Sequence, residues 1–312
     1  MTDTSENLRC VRDAGRPLAS LVKGALSAPF RYRVAVLCLA LCAAPSRAFD
    51  EEIAAQRAAD AFLLLRPLPT MQVPDNETAI RVQERLARKL TPALGHVIGY
   101  KAALTHPELR RRLGVNRPMT GLFHRTMLLP EDVPVPVRSG VRLAVEADLL
   151  ARVADARINE AQDDLELLQC IDAFAAFIEI PDLLFHESVR VDGPMLTAVN
   201  VGARYGVAGP AFAVASRRDA VELLGDMQVT LENGAGEVVA RGRGGDLLGN
   251  PVEALRWLRD ALLARGIRLK PGDLLSLGSF AAPVPAKAGE RYTARYKGLF
   301  KDAELTVSVA FE

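Results

Sequence analysis

Two acidic residues interrupt the apolar segment AVEADLLARV at residues 144–153. Glu146 and Asp148 lie two positions apart, and alternate side chains of a β-strand point to the same face of the sheet. Their Cα atoms would be about 6.5–7 Å apart, and carboxylates that close repel each other unless a positive group lies between them. The same alternation also fits the solvated face of an amphipathic strand, so these two acids alone do not establish a site.

A third acid, Glu179, lies in AAFIEIPDLLF, which is among the most apolar segments of the chain. A carboxylate buried there must be paired with a cation, either an arginine in a salt bridge or a metal ion. Together the three acids would form an oxygen-rich pocket of the kind that suits Mg²⁺ or Mn²⁺. Zinc is disfavoured because the four histidines show no HxH or HxxxH spacing.

Lys101 ends the strand-like segment VIGYK, directly before the apolar residues AAL. Most lysines beside apolar segments extend their ammonium group into solvent. A lysine held near a metal site could instead donate to a carboxylate substrate or move a proton. The segment THPELRRRLGV follows, and there Thr105 is expected to cap a helix with Glu108 reaching back. Of the histidines, His106 is the candidate for a functional role because it lies at this helix start, and the others are interpreted as structural or surface residues.

The bulk composition is that of an ordinary globular protein. The chain has 312 residues, of which 49% are hydrophobic and 25% charged, and its formal net charge is +1. A charge this close to zero gives no electrostatic reason for nucleic-acid binding. The length suits one large domain or two unequal ones.

The N-terminal segment is typical of a secretory signal. Arg31 and Arg33 precede a run of 11 apolar residues, Val34–Ala44, after which Ser46 and Ala48 have the small-x-small spacing of a cleavage site. The pattern predicts cleavage after Ala48 and a periplasmic or secreted protein, with a cytoplasmic location as the alternative. A run this short is not expected to span a bilayer, so no stable membrane insertion is predicted after cleavage.

The cleavage would change the number of cysteines, and the length of the leader raises a separate point about its start. Cleavage would leave Cys170 as the sole cysteine, which excludes an internal disulfide and a cysteine-based metal cluster from the mature chain. The segment ahead of the apolar run is long for a leader, so residues 1–30 could also reflect an overcalled start codon.

Beyond the signal, the periodicity predicts an α+β chain in three parts: residues 1–48 as signal, 49–92 as a small helical region, and 93–312 as a strand-rich catalytic domain. No linker rich in glycine or serine divides the last two parts, so we expect them to pack together. The predicted helices cover residues 49–65, 77–90, 105–114, 161–177 and 250–266, and the predicted strands include 97–104, 141–153, 177–185, 272–280 and a hairpin over 226–242.

Five segments of the chain form a recognisable series: IGYKAALTHPELRRRLGV, VEADLLARV, AAFIEIPD, LLGNPVEALRWL and KPGDLLSLGSFAAPVPAKAGE. They occur in the order seen in the 2-keto-4-pentenoate hydratase and 4-oxalocrotonate decarboxylase group of the fumarylacetoacetate hydrolase superfamily, and the chain resembles that group over most of residues 55–312. The resemblance implies a mixed β-sheet sandwich or roll of the fumarylacetoacetate hydrolase type with a small helical N-terminal region. It also implies a homo-oligomer.

The resemblance assigns roles to individual residues. It implies a divalent metal, Mg²⁺ or Mn²⁺, held by Glu146, Asp148 and Glu179. Lys101 matches the lysine of the family's G-x-K segment, which is catalytic or orients the substrate. Ser279 matches a polar residue of the family's T-G-S turn near the substrate, and we expect it to be catalytic.

Three further residues are expected to bind substrate, and the chain departs from the family pattern near them. Thr105 and His106 follow the lysine strand, where relatives often have serine at the position of His106. Asn200 is kept in VNVG, where relatives often read D-N-x-S. The loop RPMTG, with Met119 and Thr120, replaces a segment that often reads PDFG.

The resemblance implies a lyase that hydrates a small 2-oxo or 2-hydroxy-dienoic acid in aromatic catabolism. Decarboxylation of a 2-oxo acid and C–C hydrolysis of an acylpyruvate pass through the same enolate, so the metal residues do not choose among the three reactions. Two non-enzymatic alternatives stay open: an exported protein that binds an oxo acid without turnover, and a structural β protein that would leave Glu179 unexplained.

Overall fold

A computed structural model describes residues 49–131, 133–213, 219–300 and 303–312. The predicted signal segment, residues 1–48, lies outside the described residues, so cleavage and export stay predictions. From Phe49 to Glu312 the chain falls in one structural unit. Within the described ranges no helix combines the length and the apolar character needed to cross a membrane.

Helices begin and end where the sequence offers capping groups. Asp50 caps the first helix, since its carboxylate accepts hydrogen bonds from the backbone N–H groups of Glu52 and Ile53 at 2.9 and 3.0 Å. Leu65, in the left-handed conformation, ends that helix. The described helices are α1 Glu51–Leu64, α2 Asn76–Leu94, α3 Pro107–Arg112, α4 Asp164–Gln169, α5 Gly193–Ala198, α6 Ala220–Asp226 and α7 Pro251–Leu263.

The strands form two sheets. Their strands are β1 Val97–Ala103, β2 Met119–His124, β3 Leu128–Leu129, β4 Ala144–Val153, β5 Ile171–Ile180, β6 Tyr205–Phe212, β7 Gln228–Glu232, β8 Val238–Arg243, β9 Leu274–Ser279, β10 Val284–Pro285, β11 Arg291–Lys297 and β12 Leu305–Ala310. The larger sheet has the order β2-β1-β9-β4-β5-β6-β3, with β10 paired to β4, and the smaller has the order β12-β11-β7-β8.

The larger sheet is covered on both sides. Strands β11 and β12 of the smaller sheet pack against β5 and β6, and the aromatic rings of Phe280 and Tyr296 meet edge to face in that interface. The N-terminal helices α1 and α2 belong to a second core cluster that also contains Phe123 of β2 and Phe177 of β5. The expected α+β fold with a small helical N-terminal region is confirmed, and that region continues to Leu94.

One predicted helix is wrong over half of its length. Residues 161–177 were expected to be helical, but α4 ends at Gln169 and β5 begins at Ile171. The apolar residues of β5 fill both faces of the strand, because one face meets the smaller sheet and the other meets the N-terminal helices. A run that is apolar on both faces carries no two-residue alternation, so periodicity does not separate a buried strand from a buried helix.

Candidate active site

Four adjacent strands of the larger sheet bring the candidate residues together. Strands β1 and β9 are parallel, and β4 is antiparallel to both β9 and β5, so the ends of β1, β9 and β5 meet the start of β4 at one edge of the sheet. Lys101 lies beside Ser276 across β1 and β9. Glu146 lies directly opposite Glu179 across β4 and β5. Chain segments about 80 residues apart therefore converge on this edge.

The three acids are not the wet face of a strand. Asp148 is 0% and Glu179 1% exposed, and only Glu146 keeps part of its side chain accessible. Directly opposed residues of an antiparallel pair have Cβ atoms about 4.5–5.5 Å apart, and like charges so placed destabilise the sheet. The interpretation as a solvated strand face, which the alternation in β4 had left open, is thereby ruled out.

Lys101 supplies the positive group between the acids. The lysine residue is only 2% exposed. Its ammonium forms an ion pair and hydrogen bond with the Glu179 carboxylate and lies 3.4 Å from the carbonyl oxygen of Val201. Gly121 of β2 lies opposite Lys101, and a Cβ atom there would be 2.7 Å from Lys101 Cγ. The glycine thus makes room for the lysine side chain.

One lysine does not balance three carboxylates. Burial and the charge of Glu179 raise the pKa of Glu146 to about 8, with Asp148 contributing in the same direction. The same two causes raise the pKa of Asp148 to about 7. No described residue donates a hydrogen bond to the Glu146 carboxylate. The site therefore has an excess of buried negative charge, and its hard oxygen donors fit a divalent cation such as Mg²⁺ or Mn²⁺.

The side chains are not already arranged as a metal cage. Among the described residues, no cluster of three or more Asp, Glu, His or Cys side chains is placed to hold an ion. Two of the carboxylates already have other partners. The Glu179 carboxylate forms an ion pair with Lys101, and the Asp148 carboxylate accepts hydrogen bonds from three donors. A cation would have to take the place of the Lys101 ammonium beside Glu179.

The raised pKa values predict how stability depends on pH. A carboxyl group whose pKa is higher in the folded than in the unfolded protein gives stability that is complete below the unfolded value, near 4, and is lost as pH rises through the folded value, here 7 to 8. Without divalent metal, Tm is therefore expected to fall between about pH 5 and pH 8.5. Mg²⁺ or Mn²⁺ should restore Tm at the high end and have little effect at the low end, where protons compete with the metal.

Differential scanning fluorimetry across this pH range checks the prediction. In the Glu146→Gln variant the fall in Tm should be smaller and the metal effect lost. A Tm that rises with pH in metal-free protein would contradict the assignment of these acids to one uncompensated cluster.

Asp148 is held by a distortion of β9. Its carboxylate accepts hydrogen bonds from Ser276 Oγ at 2.7 Å, from the Gly278 backbone N–H at 3.0 Å and from the Leu149 N–H at 2.5 Å. Gly278 has φ +109° and its N–H turns toward the acid instead of the neighbouring strand. Sequence reasoning missed Ser276, although a polar residue inside the apolar run DLLSLG was a usable signal.

Two of the residues expected near the substrate have local structural contacts. The Ser279 hydroxyl donates to the carbonyl oxygen of Ala281 at 2.6 Å, although its backbone lies opposite Asp148 in the register of β4 and β9. His106, not Thr105, caps α3, since its Nδ1 accepts from the Glu108 N–H at 3.3 Å. The expected cap at Thr105 is thus wrong by one residue.

Thr105 lies instead beside Gly278, where β9 forms a β-bulge opposite β4. It is 1% exposed, and its hydroxyl has no hydrogen-bond partner in the described structure. A Cβ atom at Gly278 would come within 2.4 Å of this hydroxyl, so Thr105 packs against the turn that holds Asp148.

Both polar atoms of the Asn200 side chain are hydrogen-bonded to the backbone of β2. Its side-chain oxygen accepts from the Leu122 N–H at 2.8 Å and its amide nitrogen donates to the Leu122 carbonyl at 2.9 Å. Asn200, Val201 and Gly202 have φ values of 59°, 52° and 70°, a left-handed turn that valine rarely adopts. The turn presents the Val201 carbonyl to Lys101. Asn200 therefore supports the lysine. The two bonds to Leu122 use one of its two amide hydrogens and one of the two lone pairs on its oxygen, so the expected substrate contact stays a prediction.

Replacing Asn200 with alanine is expected to lower the free energy of unfolding by about 2–4 kcal/mol. Two buried backbone groups of Leu122 lose their partners, at about 1–3 kcal/mol each, and alanine is strained at a φ near +60°. Urea denaturation measures the loss. Exposed Asn116→Ala is the control, with an expected change within about 0.5 kcal/mol. An equal, small effect in both variants would refute the supporting role of the turn.

A cavity of about 660 Å³ lies among segments that follow β1 and β5. Its wall includes Asp182, three residues after Glu179, and Val199, one residue before Asn200. None of the eight residues expected to act at the site lines this cavity, so the buried carboxylates and the cavity are separate features of the same region.

Comparison with known proteins identifies the family. No family model matches the chain. The 2-keto-4-pentenoate hydratase of Paraburkholderia phymatum is 30% identical over 210 residues, which cover 65% of this chain and 75% of that protein. The 4-oxalocrotonate decarboxylase of Pseudomonas sp. (strain CF600) is 26% identical over 222 residues, covering 71% of this chain and 81% of that protein.

A solved structure shows the same fold. The 4-oxalocrotonate decarboxylase from Pseudomonas putida G7, complexed with magnesium and adipate, superposes with a TM-score of 0.73 at 22% identity, over 84% of this chain and 97% of that one. Sequence similarity over three quarters of a hydratase and a shared fold agree with the order of motifs in the sequence. The chain therefore belongs to the 2-keto-4-pentenoate hydratase family of enzymes, which the motifs in its sequence resemble.

Proposed function

We propose that this protein is a divalent-metal-dependent hydratase of a short 2-hydroxy-dienoic acid such as 2-hydroxypenta-2,4-dienoate. One observation carries the proposal: Glu146, Asp148 and Glu179 converge at one sheet edge, and Lys101, the buried cation among them, leaves their negative charge unbalanced. The relatives with the names 2-keto-4-pentenoate hydratase and 4-oxalocrotonate decarboxylase support this class of substrate.

Glu146, Asp148 and Glu179 would hold the metal. The donor set is all carboxylate oxygen, which favours Mg²⁺ or Mn²⁺ over zinc. A solved relative is complexed with magnesium and another form of it with calcium, which supports a divalent ion without choosing among them. When bound, such an ion supplies Lewis-acid stabilisation for the negative charge that develops on the oxygen of a 2-oxo acid or its enol.

Lys101 is placed to move the proton. Its ammonium lies between Glu179 and the Val201 carbonyl, so it has a second polar partner when Glu179 is engaged elsewhere. Lys101 would shuttle a proton from the enol oxygen to carbon as the enol becomes the ketone. The hydrogen and the hydroxyl group of water would then add across the remaining conjugated C=C bond, so that no group leaves. The contacts of Ser276 and Gly278 with Asp148 orient that carboxylate during the reaction.

Burial of the site limits access of water to the reacting atoms. Asp148 and Glu179 are almost completely buried, while Glu146 is the member of the trio with an accessible side chain. A substrate would therefore approach from the side of Glu146. Exclusion of bulk water strengthens each of these electrostatic contacts.

Two other activities use the same residues. Decarboxylation of a 2-oxo acid is the first alternative, because a 4-oxalocrotonate decarboxylase covers as much of the chain as the hydratases do. C–C hydrolysis of an acylpyruvate is the second. A metal-holding binder without turnover is the alternative outside catalysis.

Absorbance spectroscopy separates these possibilities. The purified protein with Mg²⁺ or Mn²⁺ should remove the ultraviolet absorbance of 2-hydroxypenta-2,4-dienoate, and chelation should stop the reaction. Turnover of a 2-oxo diacid with release of CO₂, and none of the dienoate, would replace hydration by decarboxylation. Thermal stabilisation by the acids without any turnover would show a binder.

Export and self-association belong to the same proposal. The apolar segment ahead of Ala48 supports a periplasmic or secreted enzyme, and the family resemblance supports a homo-oligomer. Amino-terminal sequencing of protein from the periplasmic fraction tests the first, with Phe49 as the expected first residue. Sedimentation analysis tests the second, where a monomer would refute it.

A further inference from the structure

We propose that Tyr296 is a positioning residue for the metal centre. Its hydroxyl fixes the backbone of Asp148 and Phe177 at the point where the strand ladders on both sides of that pair are interrupted. The inference rests on the proposed function, because it assumes that a divalent ion is held by Glu146, Asp148 and Glu179.

The first interruption lies between β4 and β9. Asp148 is opposite Ser279 and Leu150 is opposite Ser276, so two steps along β4 match three steps along β9. The additional residue of β9 is accommodated at Gly278, whose positive φ marks a β-bulge. Regular cross-strand hydrogen bonding is therefore lost beside Asp148.

The second interruption lies on the other side of the pair, between β5 and β6. Ala175 is opposite Ala211 and Phe177 is opposite Ala208, so three steps of β6 again match two of its neighbour. Asp148 and Phe177 are directly opposite each other in β4 and β5. The pair is thus flanked by a bulge in each outer strand. The Ala147 carbonyl faces β9, where it accepts from the Phe280 N–H at 3.1 Å, so the next carbonyl of β4, that of Asp148, faces β5 and Phe177.

Tyr296 contacts both members of this pair from the face of the sheet. It belongs to β11 of the smaller sheet and is 0% exposed. Its hydroxyl lies 2.5 Å from the Asp148 carbonyl and 2.9 Å from the Phe177 carbonyl, and it accepts from the Phe177 N–H at 3.3 Å. The single hydroxyl proton is donated to one carbonyl at a time. Because the hydroxyl contacts both β4 and β5, it stabilises their register between the two bulges.

The ring of Tyr296 is itself fixed. It meets Phe280 edge to face at a centroid distance of 6.1 Å, and Phe280 is bonded through its N–H to the Ala147 carbonyl at 3.1 Å. Tyr296 therefore couples the position of the smaller sheet to the backbone of Asp148. Residues that orient metal ligands typically change metal affinity by about 10–100-fold when they are removed.

The Tyr296→Phe variant tests the inference with a matched control on the same strand. Tyr292 lies four residues earlier on the same face of β11, is 2% exposed, and also donates its hydroxyl to a backbone carbonyl, that of Pro285 at 3.1 Å. Both variants remove one buried hydroxyl and keep the ring, but Tyr292 has no contact with Asp148 among the described hydrogen bonds. Isothermal titration with Mn²⁺ alone, with the full chain, is the readout.

We expect Tyr296→Phe to weaken Mn²⁺ binding by about 10–100-fold and Tyr292→Phe to leave it within about 2-fold of the wild type. Wild-type affinity in Tyr296→Phe, or an equal loss in both variants, overturns the inference and leaves the metal site intact. Failure of the wild type to bind Mn²⁺ overturns the proposed function and the inference together.

A second variant covers the case in which Tyr296→Phe does not fold. Site-specific 3-fluorotyrosine at position 296 keeps the shape and the hydroxyl while changing its strength as a hydrogen-bond donor. Mn²⁺ affinity is expected to change in this protein, whereas the same replacement at Tyr292 should not change it. Unchanged affinity at position 296 overturns the inference.

Discussion

Replacing Lys101 with methionine is expected to lower kcat by about 10²–10⁴-fold while Mn²⁺ binds as tightly as in the wild type or more tightly. Methionine keeps the length of the buried side chain but removes the proton that Lys101 holds beside Glu179. It also removes the cation that competes with the metal for that carboxylate. Loss of turnover without loss of metal binding separates proton transfer from metal binding.

A second lysine provides the control. Lys270 also pairs with an acid, Asp273, but its side chain is 67% exposed. Lys270→Met is therefore expected to leave both kcat and Mn²⁺ affinity within about 2-fold of the wild type. If Lys101→Met lost metal binding in proportion to its turnover, Lys101 would be structural and the proposed proton transfer would be wrong.

Glu179→Gln is expected to weaken Mn²⁺ binding by more than about 100-fold and to abolish turnover with it, because a neutral amide replaces one of the two almost fully buried carboxylate ligands. The variant also leaves Lys101 without its partner. Breaking an isolated buried ion pair costs about 3–5 kcal/mol of stability, but the loss here should be smaller because the charges of Glu146 and Asp148 stay nearby. Isothermal titration and urea denaturation measure the two effects.

Glu232→Gln makes the same chemical change away from the site. Glu232 accepts a hydrogen bond from Arg295 at 2.8 Å on the smaller sheet and is mostly buried. The Glu232→Gln variant should lose only a small part of the free energy of unfolding and should keep its affinity for Mn²⁺. Tight Mn²⁺ binding by Glu179→Gln would remove Glu179 from the ligand set.

Much of the fold followed from sequence patterns with a clear physical cause. The alternation around Glu146 and Asp148 predicted β4, and capping residues such as Asp50 and Asn250 mark where helices begin. The predicted helix over 161–177 failed at β5, because burial on both faces removes the alternation on which the prediction depends. Tertiary packing, which the local pattern does not contain, decided that segment.

The candidate site was predictable from the sequence to a similar extent. The costs of burying Glu179 and of placing two acids on one strand face pointed to a shared cation, and the structure brings Lys101 to the same place. Sequence spacing assumes a regular ladder, however, and the bulge at Gly278 breaks it. The polar Ser276 in DLLSLG was a usable signal, but its contact with Asp148 depends on this bulge and could not be derived from spacing. The contact of Tyr296 with the Asp148 carbonyl depends on the packing of the two sheets, which local sequence does not contain.

Anomalous diffraction from crystals saturated with Mn²⁺ tests most directly whether the three acids share one ion. We predict a single manganese peak in contact with the carboxylates of Glu146, Asp148 and Glu179, with the Lys101 ammonium moved away from Glu179. Manganese-saturated crystals in which Lys101 still pairs with Glu179 and no peak lies among the three acids would contradict the metal centre and the hydratase mechanism built on it.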